Sequence, residues 1–354
     1  MIDLDEQIVQ TLRERAEGDV DPNRLLRASR ARGRRRQTRR QVAAGTALAL
    51  VGALGFAGVT GTGLDGLTGR LPWTATAPAE ATPVPPRVDG VPGAAADPAL
   101  IGTDPNVLHF GLDPTRARYL SWEVLTGRTE TVRFSVRDGQ PVHVDVSRSA
   151  ELPTNVTFDG ASVDFPKAGP QTFDGAVQPA AGTAGGLVKS WQPAPGVYAR
   201  AFLPRGGRAG LEQAVEALRW NEARRCAAPL RLGALPESAT ISSCSVDITS
   251  YPRLVTAQFT LLRAKSQVMS VRYRYVVQAG THTGGNRTIA GRPAFLSADG
   301  RRLELFGIPR TEVIAEFDWE WEPRTKPRFT EADATTVLAG ARVIEDPTRL
   351  ENWE

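Results

Sequence analysis

Five carboxylates crowd one short stretch near the end of the chain. Glu312, Glu316, Asp318, Glu320 and Glu322 fall on one side of an alternating pattern, with Val313, Ala315, Phe317, Trp319 and Trp321 on the other. Such a row could hold a hard cation or a basic partner. A strand, however, spaces same-face residues by about 7 Å, whereas calcium sites fold several oxygens around one point. The row therefore reads as a solvated face neutralised by Arg272 and Arg274 and by Arg324, Lys326 and Arg328. Trp319 and Trp321 read as core under the closing helix, with an extracytoplasmic aromatic platform for a sugar or peptide as the sharper alternative. His109 and His143 sit in strand-like contexts and His282 in a Gly-rich loop, none with a partner at metal-ligand spacing. G-x-S-x-G, P-loop, H-E-x-x-H and dinucleotide motifs are absent from the sequence. No catalytic residue, metal ligand or cofactor is expected, and the chain is read as a non-enzyme. Cys226 and Cys244, the two cysteines of the chain, are expected to pair as a disulfide.

The elements that carry these residues are mostly strands. Val132, Phe134 and Val136 alternate with polar residues, and Val142, Val144 and Val146 do so after Asp138-Gly139-Gln140. This predicts a hairpin with a three-residue loop, pairing Val136 with Val142, Phe134 with Val144 and Arg133 with Asp145. Further strands are expected over Val188–Trp191, Val197–Phe202, Val255–Leu261, Met269–Val277, Leu303–Phe306 and Val313–Trp321. Two helices close the two halves. Leu211, Ala214, Val215 and Leu218 form the apolar face of the first. Ala334, Val337, Leu338 and Ala341 repeat that spacing after a capping-box start at Thr330 and Asp333. The repeated order suggests two diverged copies of one unit, residues 105–222 and 223–354.

Upstream, Val42 to Leu64 runs 23 residues without an ionisable side chain, long enough to span a bilayer. Nine arginines between Arg24 and Arg40 precede it. By the positive-inside tendency residues 1–40 are cytoplasmic, 41–64 form a transmembrane helix and the remainder is extracytoplasmic. Thr38-Arg39-Arg40-Gln41-Val42 resembles a twin-arginine export signal, but a retained anchor is the preferred reading. Residues 1–40 hold eleven Arg against seven acids, and the other 314 residues hold 32 bases and 32 acids. The excess positive charge thus belongs beside the membrane, for anionic lipid, and no nucleic-acid partner is inferred. Residues 65–104, with seven prolines between Pro72 and Pro98, read as a linker.

Leu4, Ile8 and Leu12 share one face of an amphipathic helix within residues 2–17, a possible docking face for a cytoplasmic regulator. Here the chain resembles bacterial single-pass membrane proteins with a short Arg-rich cytoplasmic tail, some of them similar to membrane-bound anti-sigma factors. The resemblance covers about the first 60 residues. It lacks the His and paired Cys that zinc-type anti-sigma factors carry in that domain.

The fold class expected is α+β: one N-terminal transmembrane helix, then two related units of mostly antiparallel sheet, each with a packed C-terminal helix. The function expected is a membrane-anchored, non-enzymatic envelope protein that binds a peptide, glycan or protein outside the cell. The alternatives are a single-pass signal transducer acting through residues 2–17 and an exported hydrolase.

Overall fold

A computed structural model describes residues 83–354 apart from 137–138, 159–160, 166–171, 181–182, 184, 265, 318–327, 350–351 and 354. The expected docking face at Leu4, Ile8 and Leu12, the apolar run 41–64, and Trp319 and Trp321 with Asp318, Glu320 and Glu322 lie outside the described residues. Among the described residues no helix is long and apolar enough to cross a membrane.

Thirteen strands form one antiparallel sheet. In chain order they are β1 (Ala117–Leu125), β2 (Thr129–Val136), β3 (Pro141–Ser147), β4 (Asp174–Pro179), β5 (Leu187–Ala194), β6 (Val197–Leu203), β7 (Thr240–Asp247), β8 (Leu254–Arg263), β9 (Gln267–Val276), β10 (Arg287–Ile289), β11 (Arg292–Leu296), β12 (Arg302–Leu305) and β13 (Thr311–Glu316). Across the sheet the order is β10-β11-β12-β13-β9-β8-β7-β1-β2-β3-β6-β5-β4. The sheet is continuous through the β1–β7 pairing, so residues on both sides of position 222 share one body and one principal core.

Alternation sorts the two faces. Trp122, Val124, Val132, Val144, Cys244, Phe259, Val271 and Tyr273 point to one side and are buried. Helices α1 (Arg208–Glu216) and α2 (Glu331–Ala339) lie on strands of the two flanks, α1 against β2, β5 and β6 and α2 against β10, β12 and β13. A sheet with one covered face and one open face needs this period-2 pattern, because each residue step reverses the side chain.

The strands match the expected pattern in kind and differ in register. Phe134 pairs with Val142 and Val132 with Val144, a shift of two residues from the expected hairpin. An even shift keeps every valine on its face, so apolar patterning alone does not discriminate between the two registers. Arg133 consequently faces His143, and Thr131 faces Asp145. Both helices also end earlier than their apolar spacing implies. Leu218 falls in the strand Leu218–Arg219, which pairs with Gly111–Leu112, and Ala341 falls in Ala341–Val343, which pairs with Leu230–Leu232. The capping box is present: Thr330 Oγ1 accepts from the Asp333 N–H, and Asp333 accepts from the Thr330 N–H.

The C-terminal part of the expected linker is folded. Val88 N–H donates to Ala223, Ala95 N–H to Trp220, and Ala94 and Ile101 are buried in the core. A Cβ on Gly93 would strike the backbone of Trp220 and Glu222, so glycine permits this approach. Composition marked the segment as a spacer, but prolines that fix φ and alanines that need little room suit close packing of irregular chain equally well.

Cys226 and Cys244 form a disulfide that fastens the segment after α1 to β7. Their separation of 18 residues makes the expected contribution about 3 kcal/mol in the chain-entropy picture. Replacing both cysteines by serine should lower the free energy of unfolding by that amount in urea titration. A double variant as stable as the parent would remove the disulfide from the list of stabilising features.

Candidate functional site

The open face of the sheet carries rows of polar side chains that run across the strands. One row consists of Arg272, Gln258, Ser245, Glu123, Thr131, Asp145 and Arg200, on β9, β8, β7, β1, β2, β3 and β6, each directly opposite the next. The adjacent row is Arg274, Thr256, Asp247, Ser121, Arg133 and His143. Strands about 4.8 Å apart bring such neighbours within side-chain reach. Between the rows lies a groove of about 440 Å³.

One end of these rows is sealed. Residues Asn155–Phe158 and Ala161–Asp164 form a hairpin, and Val156, Val163 and Phe165 pack with Phe202 and Val188. The Arg200 guanidinium lies 4.1 Å from the Phe165 ring centroid and donates to the Pro153 carbonyl at 2.7 Å. Its main partner is Asp145, at 2.6 Å. Asp145 also accepts from Thr131 Oγ1 at 3.0 Å and contacts His143 Nε2 at 2.9 Å. Burial pushes the Asp145 carboxyl up, but His143 and Arg200 together outweigh it and hold the group well below the ordinary carboxylate range. An ionised carboxylate only accepts, so Nε2 of His143 carries the proton of that bond. The other ring nitrogen, Nδ1, is buried and has no hydrogen-bond partner among the described residues.

The groove carries both signs of charge, Glu123 and Asp247 with Arg133, Arg272 and Arg274. Arg272 and Arg274 are paired with Glu316 and Glu312, at 2.5 and 3.3 Å, which is the expected neutralisation of the acidic strand. Glu123 makes no ion pair among the described residues. Although part of its surface meets solvent, the loss of water within the groove and the nearby Asp145 raise its carboxyl above the ordinary value, against an opposing pull from His143. A raised folded-state value means that ionised Glu123 opposes folding increasingly as pH rises through that value. Glu123→Gln should therefore raise the melting temperature near neutral pH and have little effect near pH 3, with the gain limited by the open surface. A melting temperature equally changed at both pH values would show that charge is not the cause.

The other two histidines sit elsewhere. His109 is buried on the helical side with Glu130, whose carboxylate accepts the His109 N–H at 2.5 Å and the Gly102 N–H at 2.8 Å and meets His109 Nδ1 at 2.6 Å. His282 lies 5.5 Å from the Phe306 ring. Among the described residues no cluster of three or more His, Cys, Asp or Glu side chains has the arrangement of a metal site. The expectation treated His143 as an ordinary strand residue, gave Asp145 to Arg133 as a cross-strand partner and passed over Glu123 and Arg200. The available signal was His143-x-Asp145, two polar residues two apart in a valine-rich strand, with an arginine inside the apolar run Val197–Leu203.

A second concavity of about 730 Å³ lies on the helical side of the sheet, beside Cys226. Phe259 and Ile241 come from β8 and β7, Leu230 and Leu232 from the segment paired with Ala341–Val343, and Val107 from the strand paired with Arg224–Arg225. Comparison of the chain with protein-family models, with curated proteins and with solved structures gives no match.

Proposed function

We propose that this chain is a membrane-anchored, non-enzymatic binding protein whose folded body lies outside the cell and whose open sheet face receives a peptide, glycan or protein ligand. The observation that carries this reading is the polar groove across β1–β3 and β7–β9. There Glu123 has no ionic partner among the described residues and a buried nitrogen of His143 has no hydrogen bond. A ligand donor can meet Glu123, whose side chain is exposed in the groove.

Other features agree with it. The Cys226–Cys244 bond suits an oxidising compartment. His109 and His143 lie on opposite faces of the sheet, since Glu130 and Arg133 alternate on β2, so these two histidines do not share one pocket. The strand order supports two diverged copies. β1-β2-β3-β6-β5-β4 followed by α1 has the same path as β7-β8-β9-β13-β12-β11 followed by α2.

Two measurements test the proposal. With a tag at each end, external protease on intact cells should remove the C-terminal tag and spare the N-terminal one; the opposite pattern would refute the anchor topology. On peptide and glycan arrays the full chain should bind a set of ligands that Glu123→Arg no longer binds. An unchanged set would move the ligand site away from the groove.

A further inference from the structure

The concavity beside the disulfide differs in chemistry from the polar groove. Its walls are Val91, Val107, Leu230, Leu232, Ile241 and Phe259, of which Val91, Leu232 and Ile241 keep part of their surface exposed. A volume of about 730 Å³ falls within the usual span of roughly 300–1,000 Å³ for small-molecule sites. Its polar margin is uneven. Asp104 is engaged in its own turn, accepting from the Asn106 N–H at 2.8 Å and from Asn106 Nδ2 at 3.1 Å. Arg225 lines the margin, is exposed, and makes no side-chain hydrogen bond or ion pair among the described residues. Its backbone is held by Pro86, at 2.8 Å, and by pairing with Val107, so the base of the side chain has a fixed position. Arg231, which has an interaction of its own, also lines the cleft.

An apolar trough with one unpaired guanidinium at its edge matches an amphiphile with a single anionic end. From this we infer that the cleft is a second binding site, for a long-chain fatty acid, with its alkyl chain along Leu230, Ile241 and Phe259 and its carboxylate on Arg225. An apolar ligand without a charge would leave Arg225 unused. A polar ligand would leave the partly exposed aliphatic walls uncovered.

The test uses the full chain held in an amphipathic polymer and a palmitic acid bearing a photoreactive diazirine. Crosslinks are expected on peptides containing Val107, Leu230 to Ile241, or Phe259. Unlabelled saturated fatty acids should compete with a potency that rises roughly three- to fourfold per added methylene until the cleft is filled. Ile241→Trp should reduce labelling at least about tenfold by occupying the trough. Val91→Trp, at the exposed edge, should do the same if the first variant fails to fold by circular dichroism. Arg225→Glu should weaken competition by the acid about fivefold and leave the matching fatty alcohol unaffected. Crosslinks confined to other parts of the chain, labelling insensitive to a folded tryptophan variant, or equal loss for acid and alcohol would overturn the inference. None of these readouts depends on the polar groove.

Discussion

Asp145→Asn is expected to lower the free energy of unfolding by roughly 3–5 kcal/mol at pH 7, because it leaves the buried Arg200 cation without its counter-charge. The Arg200 side chain is 5% exposed and that of Asp145 3%, so water does not replace the lost partner. The asparagine keeps the shape and one acceptor oxygen. Its amide N–H₂, however, must face donors from Arg200, Thr131 or His143. The effect has a definite pH dependence. Asp145 titrates below the ordinary carboxylate range in the folded state, so its ionisation stabilises the fold fully above the unfolded value of about 3.9. That contribution is lost as pH falls through the lower folded value. Urea midpoints of parent and variant should thus lie far apart at pH 7 and approach each other below about pH 4. Similar midpoints at pH 7 would mean that Arg200 finds compensation from Pro153 and the Phe165 ring alone.

Glu130→Ala should cost a comparable amount, roughly 3–5 kcal/mol, through a different loss. Glu130 is fully buried and satisfies two backbone donors, those of Gly102 and His109, while meeting the His109 ring. These contacts tie residues 102–109 to β2. Removing the carboxylate orphans each group in a site closed to water. Glu130→Gln should recover part of the stability, since its carbonyl can accept one N–H while its amide cannot accept the other. Hydrogen exchange at Gly102 and His109 should rise in the alanine variant relative to the β8–β9 amides, which are remote from the change. Uniform acceleration across the sheet would indicate global destabilisation without local release.

Much of the scaffold could be read before any coordinates. Alternation gave Val132, Phe134 and Val144 in one half, and Phe259 and Val271 in the other, the apolar face of their own strands, and the capping box and the cysteine pair followed from local spacing and count. The groove was less accessible, and the hairpin explains why. A two-residue slip preserves hydrophobic parity but exchanges Arg133's neighbour from Asp145 to His143, and with it the assignment of partners across the polar face. Polar residues in a strand carry no mark of the row they will join. Only the pairing of seven strands brings Arg272, Glu123, Asp145 and Arg200 into one line.

Residue order sufficed for the period-2 faces, the helix start at Thr330 and the preference for antiparallel sheet, since these depend on neighbours within a few positions along the chain. It also carried the expectation of an anchored, exported body. Burial of Asp145 and Arg200 under the hairpin of residues 155–164, isolation of Glu123, folding of residues 86–104 onto the core and the apolar cleft beside Cys226 arose from contacts between distant segments. Such contacts are set by register and by competition for one shared core, and both are properties of the assembled sheet, which no single stretch of sequence contains.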